Sequence, residues 1–164
     1  MWLKLTASSP VAYATPMQKL LLKNRKARFN YEVLETYEAG IALEGHEVKS
    51  IKNGGGNFTG SFISLMNGEM WLKGFHVRQY EKSNFENYEP ERPRKLLLRK
   101  AEIRKMASAL STQGTTIIPL SAGLNRGRIK FEIALCRGKK KHDKRDDLKK
   151  RDQDKQIKVA LKNY

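Results

Sequence analysis

The chain has 164 residues, a length that suits one domain with additional tails. Its 33 Lys and Arg residues outnumber its 17 Asp and Glu residues, which gives a formal net charge of +16. An excess of this size favours a polyanionic partner, with nucleic acid first and an anionic membrane surface second. A hydrophobic content of 39% excludes disorder throughout the chain. No apolar run approaches the roughly 20 residues of a membrane-crossing helix.

Residues 1–22 have low charge and are predicted to form a disordered leader. The first sixteen residues contain no acidic residue, and Pro10 and Pro16 interrupt them, so they lack the continuous apolar centre of a secretory signal. The single cysteine excludes an intrachain disulfide and fits a reducing compartment, and we predict a cytoplasmic protein. We also expect a chain that starts at Met17 to fold and bind its partner like the full chain.

Residues 23–137 hold most of the aromatic and β-branched residues and are predicted to be the folded domain. Apolar side chains alternate with polar ones over residues 29–33, which predicts a half-buried strand, and the extended pattern continues to Leu43. A short helix is predicted over Glu47–Lys52, because three glycines follow at 54–56.

The segments 62–66 and 70–77 flank Asn67-Gly68 and predict a hairpin, since Asn-Gly tolerates the positive φ angles of a tight turn. Residues 78–95 are polar and are predicted to be a loop. Apolar residues recur at helical spacing over residues 103–110, which predicts an amphipathic helix that ends before Gly114.

Thr115–Leu120 and Ile129–Leu135 are predicted to be the last two strands, with Gly123 and Gly127 in the connection between them. About six short strands with two or three helices predict a mainly β protein, built as a small closed β-barrel. The pattern alone does not separate an oligonucleotide-binding barrel from other small barrels.

Catalytic motifs are missing from the sequence. The three histidines are scattered, and none stands at a metal-ligand spacing from Cys136. Gly54-Gly55-Gly56 is followed by Asn57, so it is not a phosphate-binding loop of the Gly-Lys-Ser/Thr kind. A nuclease would need clustered carboxylates for its metal ions. We therefore predict a protein that is not an enzyme, with no cofactor, no metal and no small-molecule substrate.

Two basic segments are candidate phosphate contacts: residues 24–28 and residues 92–95. The first could also be a solvated charge run. The leucines at 96–98 are predicted to lie in the core. Glu38 stands out in a basic protein because a carboxylate can accept hydrogen bonds from base amino groups. Pairing of Glu38 with a neighbouring Lys or Arg is an equally good interpretation.

Residues 138–164 form a charged tail with few apolar side chains. Three Asp residues precede Lys or Arg by four positions, at 146, 147 and 154, which supports a helix weakly. We predict a tail that is disordered when free and helical when bound to RNA. The alternative is an arm that only confers solubility.

Taken together, several segments resemble the SsrA-binding protein family in order and spacing over about residues 23–162. The segments that carry the resemblance are Asn24-Arg25-Lys26-Ala27-Arg28, Glu38-Ala39-Gly40, Gly45-x-Glu47-Val48-Lys49-Ser50, Arg94-Lys95-Leu96-Leu97-Leu98, Gly138-Lys139-Lys140 and Asp143-Lys144-Arg145.

This resemblance implies an oligonucleotide-binding (OB-like) barrel that binds the tRNA-like domain of transfer-messenger RNA and delivers it to stalled ribosomes for trans-translation. The complex is expected to mimic a tRNA. The alternative is a basic structural ribosomal protein with a barrel and an arm. The implied RNA contacts are Asn24, Arg25, Lys26, Arg28, Glu38, Lys49, Arg94, Lys95, Lys139 and Lys140. The implied contacts with the decoding centre of the small subunit are His142, Asp143, Lys144 and Arg145.

Overall fold

A computed structural model describes residues 17–83 and 86–162 of the chain. Residues 1–16 of the predicted leader lie outside the described residues. In chain order the elements are β1 (Lys19–Lys23), α1 (Ala27–Asn30), β2 (Tyr31–Ile41), α2 (Gly45–Lys52), β3 (Gly56–Asn57), β4 (Phe62–Met66), β5 (Glu69–Lys73), β6 (His76–Val77), β7 (Arg94–Leu97), α3 (Lys100–Leu110), β8 (Thr115–Asn125), β9 (Arg128–Gly138) and α4 (Lys141–Lys162).

Six strands pair in a cyclic series. The order is β8, β4, β5, β7, β2 and β9, every pairing is antiparallel, and β9 returns to pair with β8 along its whole length. Strand β1 adds to the same edge of β8 that β4 contacts further along. Strands β3 and β6 form a separate pair. The prediction of a mainly β protein with a few helices is confirmed.

Side chains from these strands, from α3 and from the connecting loops form the core. Phe75 contacts both Phe58 and Phe131, with ring centroids 4.9 Å and 5.3 Å apart. Met106 projects from α3 and is fully buried, while Ile103 packs partly against the same cluster. The apolar stripe predicted for this helix is therefore the face that covers the core.

Tight turns with positive φ connect two pairs of strands. Asn67 and Gly68 have φ angles of 52° and 74°, which confirms the predicted hairpin. Arg126 and Gly127 adopt the same conformation between β8 and β9. The prediction that Gly123 lies in that connection is wrong, because β8 continues through it. A Cβ at this position would come within 2.6 Å of the backbone of β1, so glycine permits the close pairing.

Two strand boundaries differ from the prediction. Phe29 belongs to the helical turn α1, and β2 begins only at Tyr31. Ala27 is buried in a small cluster with Ile118 and Cys136, and this packing favours a helical turn where alternation alone suggested a strand. The predicted loop ends earlier than expected, since β7 already begins at Arg94.

The leucines at 96–98 do not all reach the core. Leu96 is buried and Leu98 packs partly against the core, but Leu97 is 54% exposed. Successive side chains of a strand point to opposite faces, so β7 cannot bury two neighbouring leucines on one side. The prediction of a core position is wrong for Leu97.

The charged tail forms the helix α4. Its described apolar side chains, Leu148, Ile157 and Val159, are exposed. Packing against the domain therefore contributes little to this helix, and disorder of the free tail stays a prediction. Within the described ranges, no helix combines the length and the apolar content required to span a membrane.

Strand β1 extends the folded domain beyond the predicted boundary at residue 23. We expect a chain that starts at Met17 to keep its free energy of unfolding within about 0.5 kcal/mol. A chain that starts at Asn24 loses β1, including Leu21 and Leu22, which pack against the core, and should be less stable by at least about 2 kcal/mol. Urea denaturation of both variants measures this. Equal destabilisation of the two would show that the stabilising segment lies before Met17.

Candidate nucleic-acid interface

A basic ridge, defined as residues 23–28, joins β1 to α1. The Asn24 side-chain amide donates to the Pro119 carbonyl at 2.9 Å, and the Asn24 backbone N–H donates to the Leu120 carbonyl at 2.8 Å. These bonds fix the ridge to β8. Arg25 and Lys26 are exposed next to this anchor, and so is Arg28. Cations held on a rigid base lose less conformational entropy when they contact phosphates.

Two carboxylates, Glu38 and Glu132, lie side by side on the outer surface of the sheet and form what we call the acidic pair. Glu38 of β2 is the register partner of Glu132 of β9. Glu132 accepts from the Ser121 hydroxyl at 2.9 Å, and Glu38 accepts from the Asn125 amide at 3.4 Å. The Lys130 ammonium lies 3.8 Å from Glu38. The Glu38 side chain thus has a cation neighbour and remains 22% exposed, so its carboxylate can accept further hydrogen bonds.

The ridge and one carboxylate of the acidic pair share a groove. Asn24, Arg25 and Arg28 line it together with Ser121 and Glu132, whereas Glu38 lines a different groove beside α3. Glu132 was not among the residues predicted from the sequence. Alternation in β9 places it on the outer face, but only the register between β2 and β9 shows that it adjoins Glu38.

Lys95 and Lys49 occupy different places. Lys95 forms an ion pair of 2.5 Å with Glu69 and shares a second groove with Glu38 and Lys130, beside the start of α3. Lys49 lies exposed on α2, with its ammonium 5.6 Å from the centre of the Tyr80 ring. The structure therefore gathers Lys95 near the acidic pair and leaves Lys49 on another face.

The structure contradicts a surface role for Arg94. Its side chain is 0% exposed and donates to the carbonyls of Phe75 and Pro90, at 2.7 Å and 2.9 Å. It also donates to the Glu47 carboxylate at 2.9 Å. Leu96 is buried two positions along β7, and the same alternation turns Arg94 inward. Arg94 is therefore a structural residue and not an RNA contact.

Glu47 is the partner that compensates the buried charge of Arg94. Its carboxylate is also 0% exposed, and it accepts from Arg92 at 3.0 Å and from the Glu44 backbone N–H at 2.9 Å. Burial by itself would raise the pKa of Glu47, but the hydrogen bonds from Arg92, Glu44 and Arg94 lower it below its usual value. This ionised cluster joins α2 to β7, and it was not predicted from the sequence.

The start of α4 carries the residues predicted for the decoding centre. The Lys139 N–H donates to the Asn30 carbonyl at 3.1 Å and anchors the tail to the domain. The Asp143 carboxylate accepts from the Lys140 N–H at 3.2 Å, so it caps the helix. Lys144 is half-buried and Arg145 is exposed. The His142 side chain lies outside the described residues.

Two further kinds of site were considered in the part of the chain that the structure describes: a metal site and a reactive thiol. In residues 17–83 and 86–162, His, Cys, Asp and Glu side chains form no group of three or more that could hold a metal ion. Burial raises the pKa of the Cys136 thiol to about 11, so the thiol stays protonated.

Comparison with known proteins decides the family. A family model described as SmpB protein matches residues 21–163. The chain belongs to the SmpB protein family. The matched segment runs from within β1 to beyond the end of α4, so the SmpB match includes both the sheet and the charged helix. The resemblance read from the sequence is confirmed.

Individual relatives are similar to this chain in sequence over most of its length. It is 50% identical to an SsrA-binding protein of Nostoc punctiforme over 147 residues, which are 89% of this chain and 95% of the relative. It is 48% identical to an SsrA-binding protein of Thermosipho africanus over 145 residues, 88% of this chain and 97% of the relative.

A solved SmpB structure is similar as well. It is described as "tmRNA-SmpB: a journey to the center of the bacterial ribosome". The matched chain is 48% identical, with a TM-score of 0.62, and the match covers 73% of this chain and 85% of the solved one.

Proposed function

We propose that this protein is an RNA-binding adaptor that binds the tRNA-like domain of transfer-messenger RNA. It delivers that RNA to stalled ribosomes for trans-translation, acts in the cytoplasm and has no catalytic step. The observation that carries this proposal is the similarity to the solved tmRNA-SmpB chain, at 48% identity. The net charge of +16 supports an RNA partner independently.

The basic ridge and the acidic pair are the proposed surface for transfer-messenger RNA. Arg25, Lys26 and Arg28 neutralise phosphates, while Glu38 accepts from a base amino group. Asn24 fixes the ridge through its bond to Pro119 and contacts RNA at the same edge. The outlying cations Lys49, Lys95, Lys139 and Lys140 extend the positive field around this surface.

The tail is the proposed ribosome contact. The segment His142–Arg145 begins three residues after the anchor at Lys139, so the start of α4 is held to the domain. In this proposal Lys144 and Arg145 contact phosphates of the small-subunit rRNA at the decoding centre, and the His142 ring stacks on an exposed base. The protein and its RNA together mimic a tRNA.

The cyclic strand pairing supports a closed barrel of the oligonucleotide-binding type. Each of its six strands has a partner on both sides, which removes free edges. The core aromatics fill the interior, and α3 covers one opening. In this proposal the outer face of the strands around β2, β8 and β9 presents the RNA-binding groups.

Sequencing the RNA that co-purifies with the tagged full-length protein tests the proposed function. Transfer-messenger RNA should be enriched far above its share of total RNA. Recovery should be substoichiometric to ribosomes. One copy per ribosomal subunit, without enrichment of transfer-messenger RNA, would instead indicate a structural ribosomal protein.

Glu38→Gln is expected to weaken binding of transfer-messenger RNA by about 10- to 150-fold, because a hydrogen bond to a charged group is worth about 1.5–3 kcal/mol. The melting temperature should change little, since Glu38 is partly exposed and its ion pair with Lys130 is long. Filter binding and thermal melting measure the two effects.

The matched control for this variant is Glu32→Gln, an exposed glutamate on the same strand that lines neither groove. It should change neither quantity. A Glu38→Gln protein that melts early and binds RNA normally would show that Glu38 only balances the charge of Lys130.

A further inference from the structure

A third groove also borders the basic ridge. It has a volume of about 710 Å³. Its lining includes Arg25 and Lys26 of the ridge, the loop at residues 56–61 and Phe62. The buried side chains of Ala27 and Ile118 add an apolar surface to it. An apolar surface next to cationic side chains fits a planar apolar group that carries a negative charge.

Phe62 is the feature that gives this groove its chemistry. Its ring is 45% exposed, whereas Phe58, Phe75 and Phe131 lie in the core. The outward position follows from strand alternation, since Ile63 is buried on the inner face of β4. An exposed aromatic ring next to arginine and lysine is the combination on which proteins stack unpaired bases of single-stranded RNA.

The loop at residues 56–61 keeps the groove open. Gly60 has a φ of 76°, and nothing lies within 4 Å of the position where a Cβ would be. The Asn57 side chain accepts from the Thr59 backbone N–H at 2.9 Å and shapes the turn. Because this loop is already shaped and leaves open space at Gly60, a base can enter the groove without rearrangement of the strands.

The ridge links this groove to the proposed RNA surface. Lys23, Asn24 and Arg25 line both the Phe62 groove and the groove that contains Glu132. A phosphate backbone that lies along the ridge can therefore place a nucleotide into either groove.

We propose that the Phe62 groove binds an unstacked nucleotide of transfer-messenger RNA. The base stacks on the Phe62 ring, and the adjoining phosphates pair with Arg25 and Lys26. This inference rests on the proposed function, and it adds a specific requirement: the bound RNA must offer a base that is free of its helix. The shared ridge favours transfer-messenger RNA over ribosomal RNA as the source of this nucleotide.

The test compares three full-length variants. Phe62→Ala should weaken binding to full-length transfer-messenger RNA by about 5- to 100-fold, the usual effect of losing one base–aromatic stack. Phe62→Trp keeps a stacking surface and should bind within about twofold of the parent. Leu65→Ala is the matched control: Leu65 is 40% exposed on the same strand but does not line the groove, and its loss should leave binding unchanged.

Salt dependence separates stacking from charge. Phe62→Ala should lower the affinity at every salt concentration without changing the slope of log affinity against log salt. Lys26→Ala should make that slope shallower by about 0.7–0.9, the value for one lost phosphate contact by analogy with DNA. Thermal melting of each variant shows that the domain remains folded.

Several outcomes would overturn the inference. Equal RNA affinity of the parent and Phe62→Ala would exclude stacking. A loss confined to binding of ribosomes would indicate ribosomal RNA or a protein partner instead. A loss of transfer-messenger RNA binding that Phe62→Trp does not restore would show that Phe62 does not act by stacking. If the parent protein itself fails to bind transfer-messenger RNA, the proposed function fails, and this result differs from failure of the groove alone.

Discussion

Removal of residues 141–164 is expected to reduce tagging on stalled ribosomes to background while most affinity for transfer-messenger RNA remains. Among the described residues the buried core lies before α4, and the described apolar side chains of that helix are exposed. The cut belongs after Lys140, because the Lys139 N–H bond to the Asn30 carbonyl closes the end of the domain. A reconstituted tagging reaction and filter binding measure the two activities.

Binding by the truncated protein should fall by less than about fivefold, with a shallower salt slope from the lost cations. Full tagging by this protein would show that the tail only confers solubility. Complete loss of RNA binding would show that the sheet surface is not the primary site.

A triple alanine variant at Asp143, Lys144 and Arg145 should reproduce the loss of tagging with the tail in place. Because Asp143 also caps α4, the helix content must be followed by circular dichroism. Asp143→Asn keeps an oxygen acceptor for the cap and separates the two roles. Alanine at Asp154, Lys155 and Lys158 removes the same net charge further along α4 and should leave most tagging intact.

Glu47→Gln is expected to destabilise the fold by about 3–5 kcal/mol, the usual cost of removing one partner of a buried ion pair. Arg94 would keep its charge, at 0% exposure, without a carboxylate to balance it. This is a large part of the roughly 5–15 kcal/mol that stabilises a typical domain. Urea denaturation measures the change in the free energy of unfolding.

Glu44→Gln is the matched control for this prediction. Glu44 lies three residues away and 3.7 Å from Arg92, but its side chain is 56% exposed, so the change should cost less than about 1 kcal/mol. If both variants lose similar stability, the energy belongs to the capping of α2 and not to the buried pair.

Lowering the pH should reduce the contribution of the Glu47 carboxylate to the free energy of unfolding. The pKa of Glu47 is lowered in the folded protein, so its stabilising effect is complete above the ordinary value of 4.5 and is lost as the pH falls through the lower folded value. Glu47→Gln has no such proton to bind. The stability difference between the parent and this variant should therefore narrow on acidification and be largest near neutral pH.

The sequence by itself determined those features of this protein that depend on neighbouring residues or on overall composition. Asn67-Gly68 specifies its hairpin because positive φ angles are a property of those two residues. The apolar spacing around Met106 specifies the helix that covers the core, and the net charge with the basic ridge indicates an RNA partner. Each of these features depends on neighbours along the chain or on composition.

Tertiary structure alone decided which side chains are available at the surface. Arg94 and Lys95 are adjacent and both basic, yet strand alternation buries the first against Glu47 and leaves the second outside. Glu132 joins Glu38 only through the register of β2 and β9, and Phe62 lines a groove only because the fold brings the ridge near it. Burial and register are set by contacts between distant segments, and local sequence patterns do not encode which segments will meet.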